Sequence, residues 1–167
     1  MVPERWTKTT IGDAVKVGRG FAFKSEQYRE EGYPILRVTN IQPDGGITTG
    51  EGWKFMDPTE AEDFRRYELM DGDILIVMVG ATTGKLGYVR SKNLPALLNQ
   101  NMWSLRASLK KGLDQKYFSY ISRDVVDRFL STMQGSARGF LRQSDFSKQE
   151  FVVPPLTEQK KIAEILS

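Results

Sequence analysis

The segment Asp71-Gly72-Asp73-Ile74-Leu75-Ile76-Val77-Met78-Val79-Gly80 sets a tight turn against an unbroken apolar run and closes it with glycine. Asp-Gly-Asp is turn chemistry. A short run of aliphatic residues between turn signals predicts a strand buried on both faces. Downstream, Gly80-Ala81-Thr82-Thr83-Gly84-Lys85 predicts a connection to a second strand, Leu86-Gly87-Tyr88-Val89, and Met102-Trp103-Ser104-Leu105-Arg106-Ala107 alternates as a third. Upstream, Pro34-Ile35-Leu36-Arg37-Val38-Thr39 reads as a strand entered at a proline. Ile41 to Gly52 is a glycine-rich turn region, and the charged residues 58–68 predict an exposed short helix or loop. Thr7 to Val17 mixes β-branched and polar residues around a Gly12-Asp13 turn signal. Gly18-Arg19-Gly20 breaks that pattern, and Phe21 to Gly32 reads as a loop or irregular helix.

From about Asp114 the period changes. Tyr117, Phe118, Ile121, Val125, Val126, Phe129, Leu130 and Met133 recur at helical spacing, and Gly135 is expected to stop the helix. Glu150 to Val153 reads as a short strand ended by Pro154-Pro155. Thr157 is then expected to cap a final helix, with Glu158 complementing its positive end. That helix carries Ile162, Ile165 and Leu166 on one side over only about three turns, a length marginal in isolation. The expectation is a chain cut from something longer, or a helix that docks on a partner. The pattern as a whole predicts an α+β fold: one compact domain over residues 1–153 with a twisted, mostly antiparallel sheet and C-terminal helices, then a linker and the start of a further helix over 154–167.

Composition narrows the chemistry. The 167 residues suit one domain, and a 40% hydrophobic content supplies a real core. The net charge is only +3. Its distribution is uneven: residues 51–72 carry three Lys/Arg against seven Asp/Glu, whereas 73–113 carry six Lys/Arg against one Asp. The second stretch either focuses positive potential on one face or forms an ordinary solvated basic face. There is no cysteine and no histidine, which removes thiolate catalysis, disulfides, Cys- or His-based metal sites and Ser-His-Asp triads. No apolar run is long enough for a membrane span and the first residues lack a signal-peptide pattern, so the chain reads as cytoplasmic, with no membrane partner.

Candidate catalytic motifs fall short. Gly80 to Leu86 imitates a phosphate-binding loop, but the glycine spacing is one residue short and Leu86 stands where a magnesium-binding hydroxyl belongs. Pro43-Asp44 with Asp114-Gln115-Lys116 is only a loose outline of a nuclease, because Asp114 opens a helix. Side chains that read base edges are plentiful instead. Asn99-Gln100-Asn101 offers consecutive amides, which pair with adenine, and Arg does the same with guanine. Arg37, in an apolar strand ending in Thr39-Asn40, is either an internal ion pair or a ligand contact. Gly135-Ser136-Ala137-Arg138-Gly139 is a small, flexible stretch around one cation. Trp53, Phe55, Tyr67, Trp103, Tyr117 and Phe118 sit at spacings that suit a core better than a stacking platform.

Several segments together resemble the specificity (S) subunit of type I restriction–modification systems. Pro154-Pro155-Leu156-Thr157-Glu158-Gln159-Lys160-Lys161-Ile162-Ala163 is similar to the family's lead into a long helix. Gly135 to Leu141 followed by Asp145-Phe146, Asp71 to Ile76, Gly80 to Gly87, Gly32 to Val38, and Trp6 to Asp13 follow in the family's pattern. The resemblance implies a non-catalytic target-recognition domain for double-stranded DNA, joined to the start of a coiled-coil spacer helix. A complete S subunit would hold two such domains, each reading half of a split target. Its partners would be modification subunits, which methylate adenine with S-adenosylmethionine, and through them a motor-nuclease subunit. A second recognition domain or half-subunit would meet the C-terminal helix. No cofactor is expected on this chain. The implied DNA contacts are Arg19, Lys24, Ser25, Arg37, Thr39, Asn40, Thr82, Thr83, Lys85, Asn99, Gln100, Asn101, Arg138, Arg142 and Gln143, and the implied partner face is Ile162, Ile165 and Leu166. Two alternatives stand beside this reading: the recognition part of a fused single-chain restriction–methylation enzyme, and a protein-interaction scaffold without a DNA role.

Overall fold

The structure, a computed structural model, describes residues 2–133 and 139–167. Nine strands appear among them: β1 Thr7–Thr10, β2 Val15–Arg19, β3 Tyr33–Leu36, β4 Lys54–Met56, β5 Ile74–Val77, β6 Leu86–Tyr88, β7 Leu97–Leu98, β8 Met102–Ala107 and β9 Glu150–Val153. The α-helices are α1 Ile11–Ala14, α2 Pro58–Ala61, α3 Gln115–Ser131, α4 Gln143–Phe146 and α5 Leu156–Leu166.

The apolar run behaves as its composition demands. All four residues of β5 are fully buried, and they alternate between two cores. Ile74 and Ile76 enter the larger one, packed with Phe118, Val125 and Phe129 of α3. Leu75 and Val77 enter a second, packed with Leu36, Ile41 and Leu98. One strand thus separates two hydrophobic layers, which the period of two in a strand makes natural.

β5 lies inside an antiparallel sheet of order β2-β8-β5-β6. A second sheet has the order β4-β3-β7, and its β3–β7 pair is parallel. A third is the antiparallel pair β1-β9, which ties the start of the chain to its end. A third core, built around Phe23, Ile35, Met56 and Leu97, gathers the aromatic rings of Phe21 and Phe64. The architecture is α+β and mostly antiparallel, in three small sheets.

Several local expectations are corrected. The strand entered at Pro34 stops at Leu36, and Val38–Asn40 form a 3-10 turn because the Asn40 Oδ1 accepts the backbone N–H of Arg37 at 2.8 Å. Residues 58–68 do form the expected short helical segment: α2, capped by Asp57, then a 3-10 helix, Glu62–Tyr67. Thr157 does not cap α5: the helix starts at Leu156 after Pro155, which places Thr157 inside its first turn. Glu158 does lie in that first turn, as expected, and it also accepts a hydrogen bond from Trp6 Nε1 at 3.1 Å, with Arg5 3.8 Å away. The expected stop at Gly135 lies outside the described residues.

Candidate nucleic-acid interface

Topology decides which loops meet. Strands β2 and β5 end, and β8 and β6 begin, at the same edge of the four-stranded sheet. That edge, the loop end, therefore collects Arg19-Gly20, residues 78–85 and residues 99–101. Phe21 bridges Asn99, and the Asn99 N–H donates to the Leu36 carbonyl, so the turn after β3 joins the same end. A fifth segment docks there from far along the chain. Gly139 and Leu141 hydrogen-bond to Gly80 and Met78, and Val79 bridges Phe140.

The packing at this end is tight. A Cβ on Gly20 would fall 1.7 Å from the Asn99 carbonyl oxygen, so only glycine lets β2 pass the amide turn. Asn101 adopts a left-handed φ of 71°, a conformation that asparagine tolerates better than most residues.

The individual side chains divide into exposed and internal groups. Arg19 is exposed, and its Nε donates to Gln143 Oε1 at 2.9 Å, which brings together two positions some 120 residues apart in sequence. Gln100, Asn101, Thr82, Thr39 and Arg142 are exposed at the same end. Lys24 and Ser25 are exposed on a 3-10 turn that follows the Phe21–Phe23 aromatic pair. Arg138 lies outside the described residues.

Four positions are engaged internally. Asn40 is 1% exposed, and its amide reaches Thr48 and Gly52. Asn99 is 8% exposed and donates to the Tyr28 hydroxyl at 3.2 Å. Lys85 donates from Nζ to the Ile41 carbonyl at 2.5 Å, pinning its loop to the neighbouring turn. Thr83 returns its hydroxyl to the Gly80 carbonyl. Arg37 is intermediate: Nη2 donates to the Gly52 carbonyl and the guanidinium lies over the Tyr28 ring. Arg37 Nε and Asn99 Oδ1 are buried without a protein partner.

The basic stretch 73–113 places most of its cations away from the loop end. Arg106 is consumed by Asp73, and Arg90, Lys92, Lys110 and Lys111 follow the opposite, far ends of β6 and β8. Cations at the loop end come instead from separate segments: Arg19, Arg37 and Arg142. Sequence reading also missed Lys16 and Arg66. They line a recess of about 70 Å³ with Gly18, Arg19, Tyr67, Glu68 and Ser104. Alternation in β2 and β8 already placed Lys16 with Gly18, and Ser104 with Arg106, on one side. Arg66 was hidden because its segment reads as acidic.

The acidic residues that resembled a nuclease have other tasks. Asp44 accepts from the Gly46 N–H, and Asp114 caps α3 through the Tyr117 N–H. Among the described residues no group of three or more Asp/Glu is placed to hold a metal ion. None of the described helices is long and apolar enough to cross a membrane.

At the far end, α5 is fixed by Gln159, which is fully buried. Its Oε1 accepts from the Asp114 N–H at 2.8 Å, while Nε2 donates to the carbonyls of Gly112 and Pro154. Ile162 is partly buried against the larger core, so it stands apart from the other two apolar positions expected beside it. Ile165 and Leu166 are 82% and 54% exposed.

Comparison with known proteins agrees in fold and in sequence. The chain is 26% identical, over 99% of its length, to the putative type I restriction enzyme MjaX specificity subunit of Methanocaldococcus jannaschii, and 30% identical, again over 99%, to the MjaVIII specificity subunit of the same organism. It spans 40% and 36% of those two proteins. The crystal structure of the HsdS subunit from Thermoanaerobacter tengcongensis superimposes with a TM-score of 0.70 at 20% identity, covering 99% of this chain and 37% of that one. The S subunit from M. genitalium superimposes at 0.62, with 18% identity over 98% of this chain and 38% of that one. Residues 3–167 match the family described as type I restriction modification DNA specificity domain, and the chain belongs to that family.

Proposed function

We propose that this chain recognises a short sequence in double-stranded DNA as part of a type I restriction–modification specificity subunit, and that methylation and cleavage are carried out by partner subunits. The observation that carries the reading is the meeting, at one sheet end, of guanidinium and amide groups from segments distant in sequence: exposed Arg19 with half-buried Gln143, and exposed Gln100, Asn101 and Arg142. Guanidinium and amide groups are the side chains that make paired hydrogen bonds to guanine and adenine. Lys16 and Arg66, which line a recess together with Arg19, are suited to phosphates. Asn40, Asn99, Thr83 and Lys85 shape the loops from within. Residues 1–153 act as the recognition unit, and 154–167 lead into the helix that meets partner subunits or a second recognition domain through Ile165 and Leu166.

The test is selection of bound duplexes from a random pool, using the chain assembled with modification subunits. A short consensus should emerge. Binding should weaken steeply with salt, as counterion release requires. Gln100→Ala and Arg142→Ala should each relax the preference at one position, by about 1–3 kcal/mol. Equal retention of selected and scrambled duplexes at moderate salt would reject the reading in favour of a protein-interaction scaffold.

A further inference from the structure

Phe140 is 51% exposed, whereas the next residue, Leu141, is fully buried in the larger core. The contrast is built into the backbone. The Leu141 N–H donates to the Met78 carbonyl at 2.7 Å, the Gly80 N–H donates to the Gly139 carbonyl at 3.2 Å, and Val79 bridges Phe140 antiparallel. With Leu141 inward, strand alternation turns Phe140 outward. The ring is therefore presented on a hydrogen-bonded support. Met78, which carries that support, also donates its N–H to the Asn101 carbonyl, and two residues after Leu141 comes Gln143, bonded to Arg19. A large, half-exposed apolar ring is thus carried on backbone that adjoins both the Asn101 turn and the Arg19–Gln143 pair.

We propose that Phe140 is a specificity-determining residue that contacts the 5-methyl group of a thymine in the target duplex. The proposal rests on the reading of the loop end as the DNA-recognition surface. Amide and guanidinium groups distinguish bases best in the major groove. Among base edges there, the apolar feature is the thymine methyl, and a phenylalanine ring is a suitable partner for it. Phe140 would then report thymine at a position where its polar neighbours report adenine or guanine.

The probe is the duplex recovered by selection, with each thymine replaced in turn by deoxyuridine, which removes the methyl and keeps the hydrogen-bonding pattern. Binding is measured for the chain assembled with modification subunits, as wild type, Phe140→Ala and Phe140→Leu. At one position the replacement should weaken wild-type binding about fourfold, the effect of one buried methyl-sized group. Phe140→Ala should be indifferent to it, and Phe140→Leu should keep part of the response. Thermal melting of each variant should match wild type, since the ring is half exposed. Identical deoxyuridine responses in wild type and Phe140→Ala at every position overturn the thymine contact. So does a rise in fluorescence of 2-aminopurine in the bound duplex that depends on Phe140, because it marks a ring wedged between bases. If Gln100→Ala and Arg142→Ala change sequence preference while deoxyuridine does not, only this proposal falls. If none of them matters, the reading of the loop end falls with it.

Discussion

Asp73 shows how a residue in a turn motif serves the fold. Its side chain is 1% exposed and takes both Arg106 Nε and Nη2, at 2.8 and 2.7 Å, while also accepting the Met70 N–H. The hydrogen bonds and charge of Asp73 push the Arg106 pKa above its ordinary value, against the opposing effect of burial. Replacing Asp73 by Asn would leave a partly desolvated guanidinium without its counter-charge. Arg106 is one-third exposed, so the expected loss lies at the lower end of the about 3–5 kcal/mol of a broken buried pair, measurable by urea unfolding. Tyr33 offers a pH signature. Burial, the hydrogen bond to Glu68 and the charge of Glu68 raise its pKa from 10 to about 12. The unfolded chain loses this proton near pH 10 while the folded chain keeps it, so the contribution is complete below pH 10 and disappears as pH rises towards 12. Tyr33→Phe keeps the ring beneath Arg65 and should flatten that part of the stability–pH curve relative to wild type.

Among the elements, α5 depends on one amide. Gln159 satisfies the Asp114 N–H at the start of α3 and two carbonyls in adjoining turns, so Gln159→Leu would strand buried polar groups. A loss of about 2–4 kcal/mol is expected in chemical unfolding, together with earlier hydrogen exchange in α5 than in α3. The long periodic elements were readable from the sequence because burial imposes their period: β5, β8 and α3 fall where the apolar pattern puts them. The short ones were not. β7 has two residues, and its pairing with β3 depends on a partner some 60 positions away. The turn at Val38–Asn40 is set by a side chain-to-backbone hydrogen bond that competes with the apolar pattern around Arg37.

At the scale of the molecule, the sheet has two unlike ends. The loop end carries the guanidinium and amide groups, and the far end carries Gln115, Gln159 and the root of α5. α3 runs between them: Gln115 hydrogen-bonds to Gly72 and Leu105 at one end, and Leu130 lies against Gly84 at the other. The members of the candidate surface could be named from residue type, but not their grouping. Arg19 finds Gln143, and Asn40 turns inward, through contacts that no spacing in the sequence expresses. Ile165→Glu combined with Leu166→Glu, both exposed, should leave the melting temperature of the chain unchanged while sedimentation shows weaker assembly with partner subunits. DNA preference per assembled complex should stay the same.

That separation of ends bears on how such a protein changes over generations. Among the described residues, the Gln159 anchor shares no hydrogen bond with the turns around Asn101 or with Gly139–Leu141. On the proposed reading, a lineage could rewrite its head, residue by residue or by exchange of whole loops, without retooling the stem. An inherited vocabulary of targets would then drift quickly while the grip on the proposed partners stayed fixed.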